Sequence, residues 1–232
     1  MPAGLQVYNQ SNGLIQIDQN YKTWGVRTNG SSGSWTSTTG YYYGSTMYYI
    51  DITVTATTPM LALSCENDVT IINISNSGSS WTWRILCNLN DKTLYWWVFD
   101  TQDNISIADN YGLEIFDDTG ARVYHSTSKP LRVVGGGASG TFTGSVGRTY
   151  AAIICNAFRS TTYYPAENDY GPNSPGKSWF EWTDAISGIN ISGTIVNYGA
   201  VDWAVGHNEF TVQPADVSYG QKSFIIVDVT NY

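Results

Sequence analysis

Hydrophobic and polar residues alternate with a period of two along most of this chain, and no stretch keeps a helical period. Two short alternating runs, Leu5–Tyr8 and Leu14–Ile17, flank the turn-forming pair Asn12-Gly13, which is the pattern of a β-hairpin. Similar runs between clusters of Gly, Ser, Thr and Asn predict further strands. These are Met47–Thr55, Met60–Cys65, Val69–Ile74, Trp81–Leu86, Thr93–Asp100, Leu113–Phe116, Arg122–His125, Leu131–Val134, Tyr150–Ala157, Ile189–Val196, Glu209–Val212 and Ser223–Val229. The pattern predicts an all-β protein, with long loops at 29–44, 75–80, 135–147 and 160–178.

An internal repeat divides the chain. Residues 4–17 (GLQVYNQSNGLIQI) match residues 112–124 (GLEIFDDTGARVY) in polarity, in the entering Gly-Leu pair and in the turn glycine. The strongly apolar runs Leu94–Asp100 and Phe224–Val229 close the two halves. We therefore predict two tandem antiparallel β-sandwich-like domains related by this repeat, at residues 1–110 and 111–232. One larger double-layer sandwich is the alternative architecture.

Aromatic residues are the most unusual feature of the composition: the chain has 17 Tyr, 9 Trp and 7 Phe, whereas charged residues make up only 13%. Aromatics in Gly-, Ser- and Asn-rich loops are typical of contact surfaces, and adjacent aromatics on a strand point to opposite faces. The alternative is that these rings only cover the core, which is the interpretation we favour for Trp81, Trp83, Trp96 and Trp97. The predicted binding residues are Trp35, Tyr41, Tyr43, Tyr163, Tyr164, Tyr170 and Trp179.

Charge excludes some partners. The net charge of −8 and the absence of a basic run argue against nucleic acid. No segment is apolar for the roughly 18 residues that span a bilayer, and the start of the chain lacks the pattern of a signal peptide. We therefore expect that the chain folds in a cytoplasm and does not insert into a membrane. Cys65, Cys87 and Cys155 each lie in an apolar run, and we expect free core thiols rather than a disulfide framework.

Catalytic and metal sites have weak signals. His125 is interpreted as a solvated turn residue, and neither it nor His207 has a second ligand at metal-binding spacing. Glu181 and Asp184 are the carboxylates that a glycoside hydrolase could use. The oxygen-rich segment Asp100–Asn110 could hold calcium, although a solvated linker is the favoured interpretation. We expect no enzyme, no metal and no cofactor.

The opening hairpin and its second copy resemble a known family. Met1-Pro2-Ala3-Gly4-Leu5, the hairpin through Asp18 and the second copy at 112–134 resemble the opening hairpin of small virion proteins encoded among the tail genes of long-tailed bacteriophages. In that family a Met-x-x-Gly-Leu start and a short hairpin precede a Lys or Arg and an apolar strand. The resemblance covers only the opening of each half and identifies no functional residue.

The resemblance implies a virion component at the tail tip or fibre, folded in the host bacterial cytoplasm before assembly. Its partners would be other virion proteins and copies of itself, with a host cell-surface glycan or protein as a further partner. On this hypothesis residues 1–110 dock to the particle and residues 111–232 present aromatic loops. Two alternatives remain: a carbohydrate-binding module or glycan hydrolase, and a capsid decoration protein.

Overall fold

The computed structural model describes residues 6–8, 15–18, 22–39, 46–107, 111–138, 140–156, 159–165, 178–219 and 222–232. Within these ranges the structure describes only the backbone of residues 6–8, 15–18, 39, 182, 200, 202–209 and 219. Throughout the described ranges the regular elements are strands, with one 3₁₀ turn at Gln102–Asn104, and no helix is long and apolar enough to cross a bilayer. The prediction of an all-β, antiparallel, sandwich-like fold is confirmed.

Nineteen strands are described. Those of the first half are β1 (Gln6–Tyr8), β2 (Ile15–Asp18), β3 (Trp24–Ser32), β4 (Thr36–Thr39), β5 (Thr46–Thr55), β6 (Met60–Ser64), β7 (Val69–Ser77), β8 (Ser80–Cys87) and β9 (Leu94–Thr101). Those of the second half are β10 (Glu114–Phe116), β11 (Arg122–His125), β12 (Val133–Gly137), β13 (Thr141–Thr143), β14 (Tyr150–Asn156), β15 (Arg159–Pro165), β16 (Ser178–Ser192), β17 (Ile195–Phe210), β18 (Val217–Tyr219) and β19 (Ser223–Asp228).

Two large antiparallel sheets form the body of the protein. One has six strands in the order β12-β19-β14-β6-β9-β3, and the other follows the path β13-β17-β16-β7-β8-β5-β4, with β15 and β18 attached beside β16. Alternate residues of both sheets point into one principal core, to which Leu63, Val98 and Ile226 contribute from the first sheet and Ile85 and Ile189 from the second. β1 with β2, and β10 with β11, form two separate hairpins.

The division of the chain at residue 110 needs a correction, because both sheets contain strands from both halves. β6 pairs with β14 in the six-stranded sheet, and β7 pairs with β16 in the other. The halves are therefore joined by backbone hydrogen bonds and share one core. This is the single double-layer sandwich that the sequence left as the alternative, formed by two related units joined edge to edge.

Each half nevertheless contributes the same arrangement. The order β3-β9-β6 in the first half corresponds to β12-β19-β14 in the second, and the order β5-β8-β7 corresponds to β13-β17-β16. Each unit thus places three strands in each sheet. Among the described strands, β4, β15 and β18 have no counterpart in the other half.

The correspondence extends to individual residue pairs. In the first hairpin the register shifts between Val7 and Tyr8, and in the second between Ile115 and Phe116, which are the residues that the sequence repeat aligns. The pairing of β3 with β9 shifts between Val26 and Thr28, and that of β12 with β19 shifts between Val133 and Gly135. β-Bulges are placed specifically by a fold, so shared bulges are strong evidence for an internal repeat.

The six-stranded sheet curls around a second hydrophobic cluster on its other face. Trp97, Phe99 and Val227 belong to this outer cluster, which is covered by Trp24 and Leu131 among others. Leu131 N donates to Trp24 O at 2.8 Å, so the two edges of the sheet meet at one end. This face carries the concave surface described below.

Strand predictions failed mainly in the second half. The run Ile189–Val196 was predicted as one strand, but it contains the two-residue turn Gly193-Thr194, with Gly193 at a φ of +59°. The predicted loops 29–44, 135–147 and 160–178 include β4, β13 and β15, which have few aliphatic residues. Their stabilisation comes from pairing with neighbouring strands, which local sequence does not show.

Two predictions about single residues are wrong. His125, expected to be solvated, is only 2% exposed, and its Nδ1 accepts a hydrogen bond from Thr127 N at 3.1 Å. Cys65 and Cys87 are buried free thiols as expected, and burial raises the pKa of Cys87 to about 11. Cys155, by contrast, is an exposed free thiol at the end of β14.

The junction between the halves can be tested at Gly188. A Cβ atom on Gly188 would lie 2.6 Å from the backbone oxygen of Val69, where β16 meets β7. Because a backbone atom cannot move aside, we expect Gly188→Ala to lower the free energy of unfolding by about 1–3 kcal/mol in urea titrations. The control is Gly33→Ala, whose Cβ would have Thr93 Oγ1 as its nearest neighbour at 3.7 Å. Equal stability of the two variants would contradict the strand contact.

Candidate functional site

Four of the predicted aromatic binding residues lie within the described part of the chain. Trp35 is half-buried against the principal core, and its Nε1 donates to Lys92 O at 2.8 Å. Tyr41, Tyr43 and Tyr170 lie outside the described residues. Tyr163, Tyr164 and Trp179 lie on β15 and β16, where the structure brings them onto neighbouring strands.

β15, the first part of β16 and the last part of β17 form an arm, in which β15 has no counterpart among the described strands of the first half. Tyr163 packs edge-on against Phe210 with ring centroids 5.8 Å apart, and Phe180 lies 6.2 Å from the same ring. Tyr164 on β15 lies opposite Glu181 on β16. Because side chains alternate along a strand, Tyr164, Glu181 and Trp179 share one face of the arm, and Tyr163 lies on the other. Tyr164 is 52% exposed. One face of the arm is therefore closed by ring contacts, and the other presents a tyrosine.

The carboxylates proposed for glycan hydrolysis are poorly placed for it. Glu181 and Asp184 are three residues apart on one strand, which puts them on opposite faces. Asp184 is buried, forms an ion pair with Arg159 and accepts a hydrogen bond from Thr161. A pair of carboxylates must flank the same bond to cleave it, and these two do not.

The oxygen-rich segment after β9 is occupied by protein contacts. The buried carboxylate of Asp100 accepts hydrogen bonds from Thr57 N at 2.9 Å and from Thr58 N at 3.1 Å. Asp103 pairs with Lys22 at 2.5 Å. Asp109 and Asn110 lie outside the described residues, and within the described part of the chain no group of three or more His, Cys, Asp or Glu side chains could hold a metal ion.

A cleft of about 490 Å³ opens where the two halves meet. Its walls come from the end of β6, the start of β9, the start of β14 and the turn between β16 and β17. The lining residues are Ser64, Cys65, Glu66, Asp91, Lys92, Thr93, Tyr95, Trp97, Thr149, Tyr150, Ile191 and Gly193. We call this the junction cleft. Its volume lies within the roughly 300–1,000 Å³ typical of small-molecule sites.

Two aromatic rings stand at the edge of the junction cleft. Tyr95 is 50% exposed, whereas Trp97 is 8% exposed, and both also line a second concavity of about 240 Å³ beside β3. The cross-strand neighbours of Tyr95 are Ser64 and Ser31, whose small side chains leave the flanks of the ring open. The indole Nε1 of Trp97 is buried and has no hydrogen-bond partner among the described residues.

Charged residues on the rim of the junction cleft are paired. Lys92 Nζ lies 2.8 Å from Glu66 Oε2, and Asn67 Nδ2 donates to Asp91 Oδ1 at 2.8 Å. The hydrogen bond from Asn67 lowers the pKa of Asp91, and the hydrogen bond from Lys92 to Glu66 raises the pKa of Lys92. Two carboxylates and one ammonium give the rim a formal net charge of −1. Trp35 holds this loop through its hydrogen bond to Lys92 O.

Sequence reasoning missed the junction cleft because it assigned Trp96 and Trp97 to packing and left Tyr95 aside. The available signal was the alternation in Tyr95-Trp96-Trp97-Val98, which puts Tyr95 and Trp97 together on one face. Trp96 and Val98 face the principal core, as predicted for Trp96.

Comparison with known proteins gives no relative for this chain. No protein-family model, no curated protein and no solved structure matches it.

Proposed function

We propose that this chain is a non-enzymatic structural component of a tailed-phage virion, located at the tail tip or fibre. The observation that carries the proposal is the hairpin that occurs once in each half, on which the resemblance to phage tail-gene proteins rests. Both copies form antiparallel hairpins with the same register and the same bulge position. The repeated hairpin is thus a defined structural unit of each half.

The arm supports a contact role for the second half. It continues the sandwich strands β16 and β17, its strand β15 has no counterpart among the described strands of the first half, and it presents Tyr164 on its open face. An exposed tyrosine on a rigid strand gives contact area at low entropic cost. Because the halves share both sheets, they form one body. One end of this body would dock to the particle, and the other end would contact a neighbouring subunit or the host surface.

Antibody labelling of intact phage particles tests this proposal. An antibody against the purified protein, viewed by electron microscopy, should label the distal tail. Label over the head would instead support the capsid decoration protein. Particles without label, from a preparation in which a known tail protein is labelled in parallel, would refute the virion proposal.

A further inference from the structure

We propose that the junction cleft binds a neutral pyranose sugar. The face of an aromatic ring carries a negative potential, which attracts the polarised C–H groups of a sugar ring. Tyr95 offers such a face, half exposed, and its two cross-strand neighbours are the serines Ser64 on β6 and Ser31 on β3. No described aromatic ring packs against it.

The polar groups around Tyr95 suit a polyhydroxylated ligand. A sugar hydroxyl both donates and accepts hydrogen bonds, and the junction cleft offers carboxylates at Glu66 and Asp91 and hydroxyls at Thr93 and Thr149. Trp97 adds part of its indole ring to the same wall of the cleft.

Charge selects a neutral sugar over an acidic one. The lining contains two carboxylates and one ammonium, and that ammonium is already paired with Glu66. A phosphate or carboxylate on the ligand would be repelled by the net negative rim, and the described lining offers it no unpaired cation. The second concavity, which shares Tyr95 and Trp97, gives room for a further sugar unit toward Asn29 and Ser31.

Binding of a sugar does not depend on where the protein sits in a particle. The use of that sugar as a host-surface contact rests on the proposed virion function. The two ideas therefore fail separately: titration with purified protein tests the first, and particle labelling tests the second.

Calorimetric titration of the full-length protein tests the junction cleft. The probes are glucose, galactose, rhamnose, N-acetylglucosamine and their β-linked disaccharides, with N-acetylneuraminic acid and glucose 6-phosphate as acidic counterparts. We expect saturable binding of at least one neutral probe and weaker or no binding of the acidic ones. Absence of binding by every neutral probe, or binding of acidic probes only, would overturn the proposal.

Matched variants locate the binding. Tyr95→Ala should weaken binding at least about ten-fold, because it removes the stacking surface. Tyr111→Ala is the control, since Tyr111 is an exposed tyrosine that lines neither concavity. Wild-type affinity in Tyr95→Ala, or loss of binding in Tyr111→Ala alone, would refute the assignment.

Discussion

Separate expression of residues 1–110 and 111–232 is expected to give two chains that do not fold cooperatively. Length is not the obstacle, since each half is as long as many stable domains. The obstacle is that separation breaks the pairing between the halves. The first half alone would have β6 and β7 as unpaired edge strands, and the second half alone would have β14 and β16. Each half would also expose its part of the principal core to water. Dispersion of amide signals in NMR spectra and urea unfolding curves measure the outcome.

Co-expression of the two halves is the control for this experiment. The halves should then associate into a one-to-one complex with the spectrum of the intact protein, because pairing of β6 with β14 restores the shared sheet. A cooperative unfolding transition in either isolated half would contradict a core that is shared between them.

Asp100→Ala is expected to lower the free energy of unfolding by about 3–5 kcal/mol. The carboxylate of Asp100 is fully buried, accepts hydrogen bonds from the backbone N–H groups of Thr57, Thr58 and Thr101, and lies 3.5 Å from Arg27 Nη1. Removing it leaves these donors without an acceptor in a place that water does not reach.

Asp51→Ala is the matched control in the same urea titration. Asp51 also pairs with an arginine, Arg84, through two hydrogen bonds of 2.8 and 2.6 Å, but this pair is partly exposed at the surface. An exposed pair contributes at most about 1 kcal/mol. A similar decrease in the free energy of unfolding in the two variants would contradict the importance of the buried Asp100 carboxylate as a hydrogen-bond acceptor.

Sequence alone predicted the fold class because most strands here are locally marked. β5, β6, β8, β9 and β19 combine alternation or apolar runs with β-branched and aromatic residues, and the Asn-Gly signal indicated the first hairpin. The repeat was detectable because its hairpin keeps the polarity alternation, the turn glycine and the entering Gly-Leu pair together. These features depend on neighbouring residues only.

Features that depend on distant residues could not be predicted. Ala62 pairs with Ile153 across the junction, and nothing in the sequence around either residue indicates this partner. The junction cleft takes its walls from both halves, so it exists only once that pairing is known. For the same reason the sequence did not show that Trp35 is half-buried and holds a loop, whereas Tyr95, within a strand, is half exposed.

The pseudo-symmetry also explains why the two closing strands end alike. Phe99 and Asp100 on β9 correspond through the shared register to Val227 and Asp228 on β19. Asp228 accepts a hydrogen bond from Thr230 N at 2.9 Å and lies 3.4 Å from both Arg132 and Arg148. Despite partial burial, which opposes ionisation, these hydrogen bonds and charges lower the pKa of Asp228. Each half therefore has, at or next to the end of its central strand, a carboxylate that accepts a backbone hydrogen bond from a residue that follows it.

The virion proposal requires that a phage encodes this chain. It is tested most directly by comparing purified particles of such a phage with particles from a mutant in which the reading frame of this chain is interrupted. Mass spectrometry should detect the chain in the first and not in the second, and cryo-electron microscopy should show a two-layer β body missing from the tail tip or fibre of the mutant. Identical protein content and identical density in the two particles would contradict a structural role in the virion.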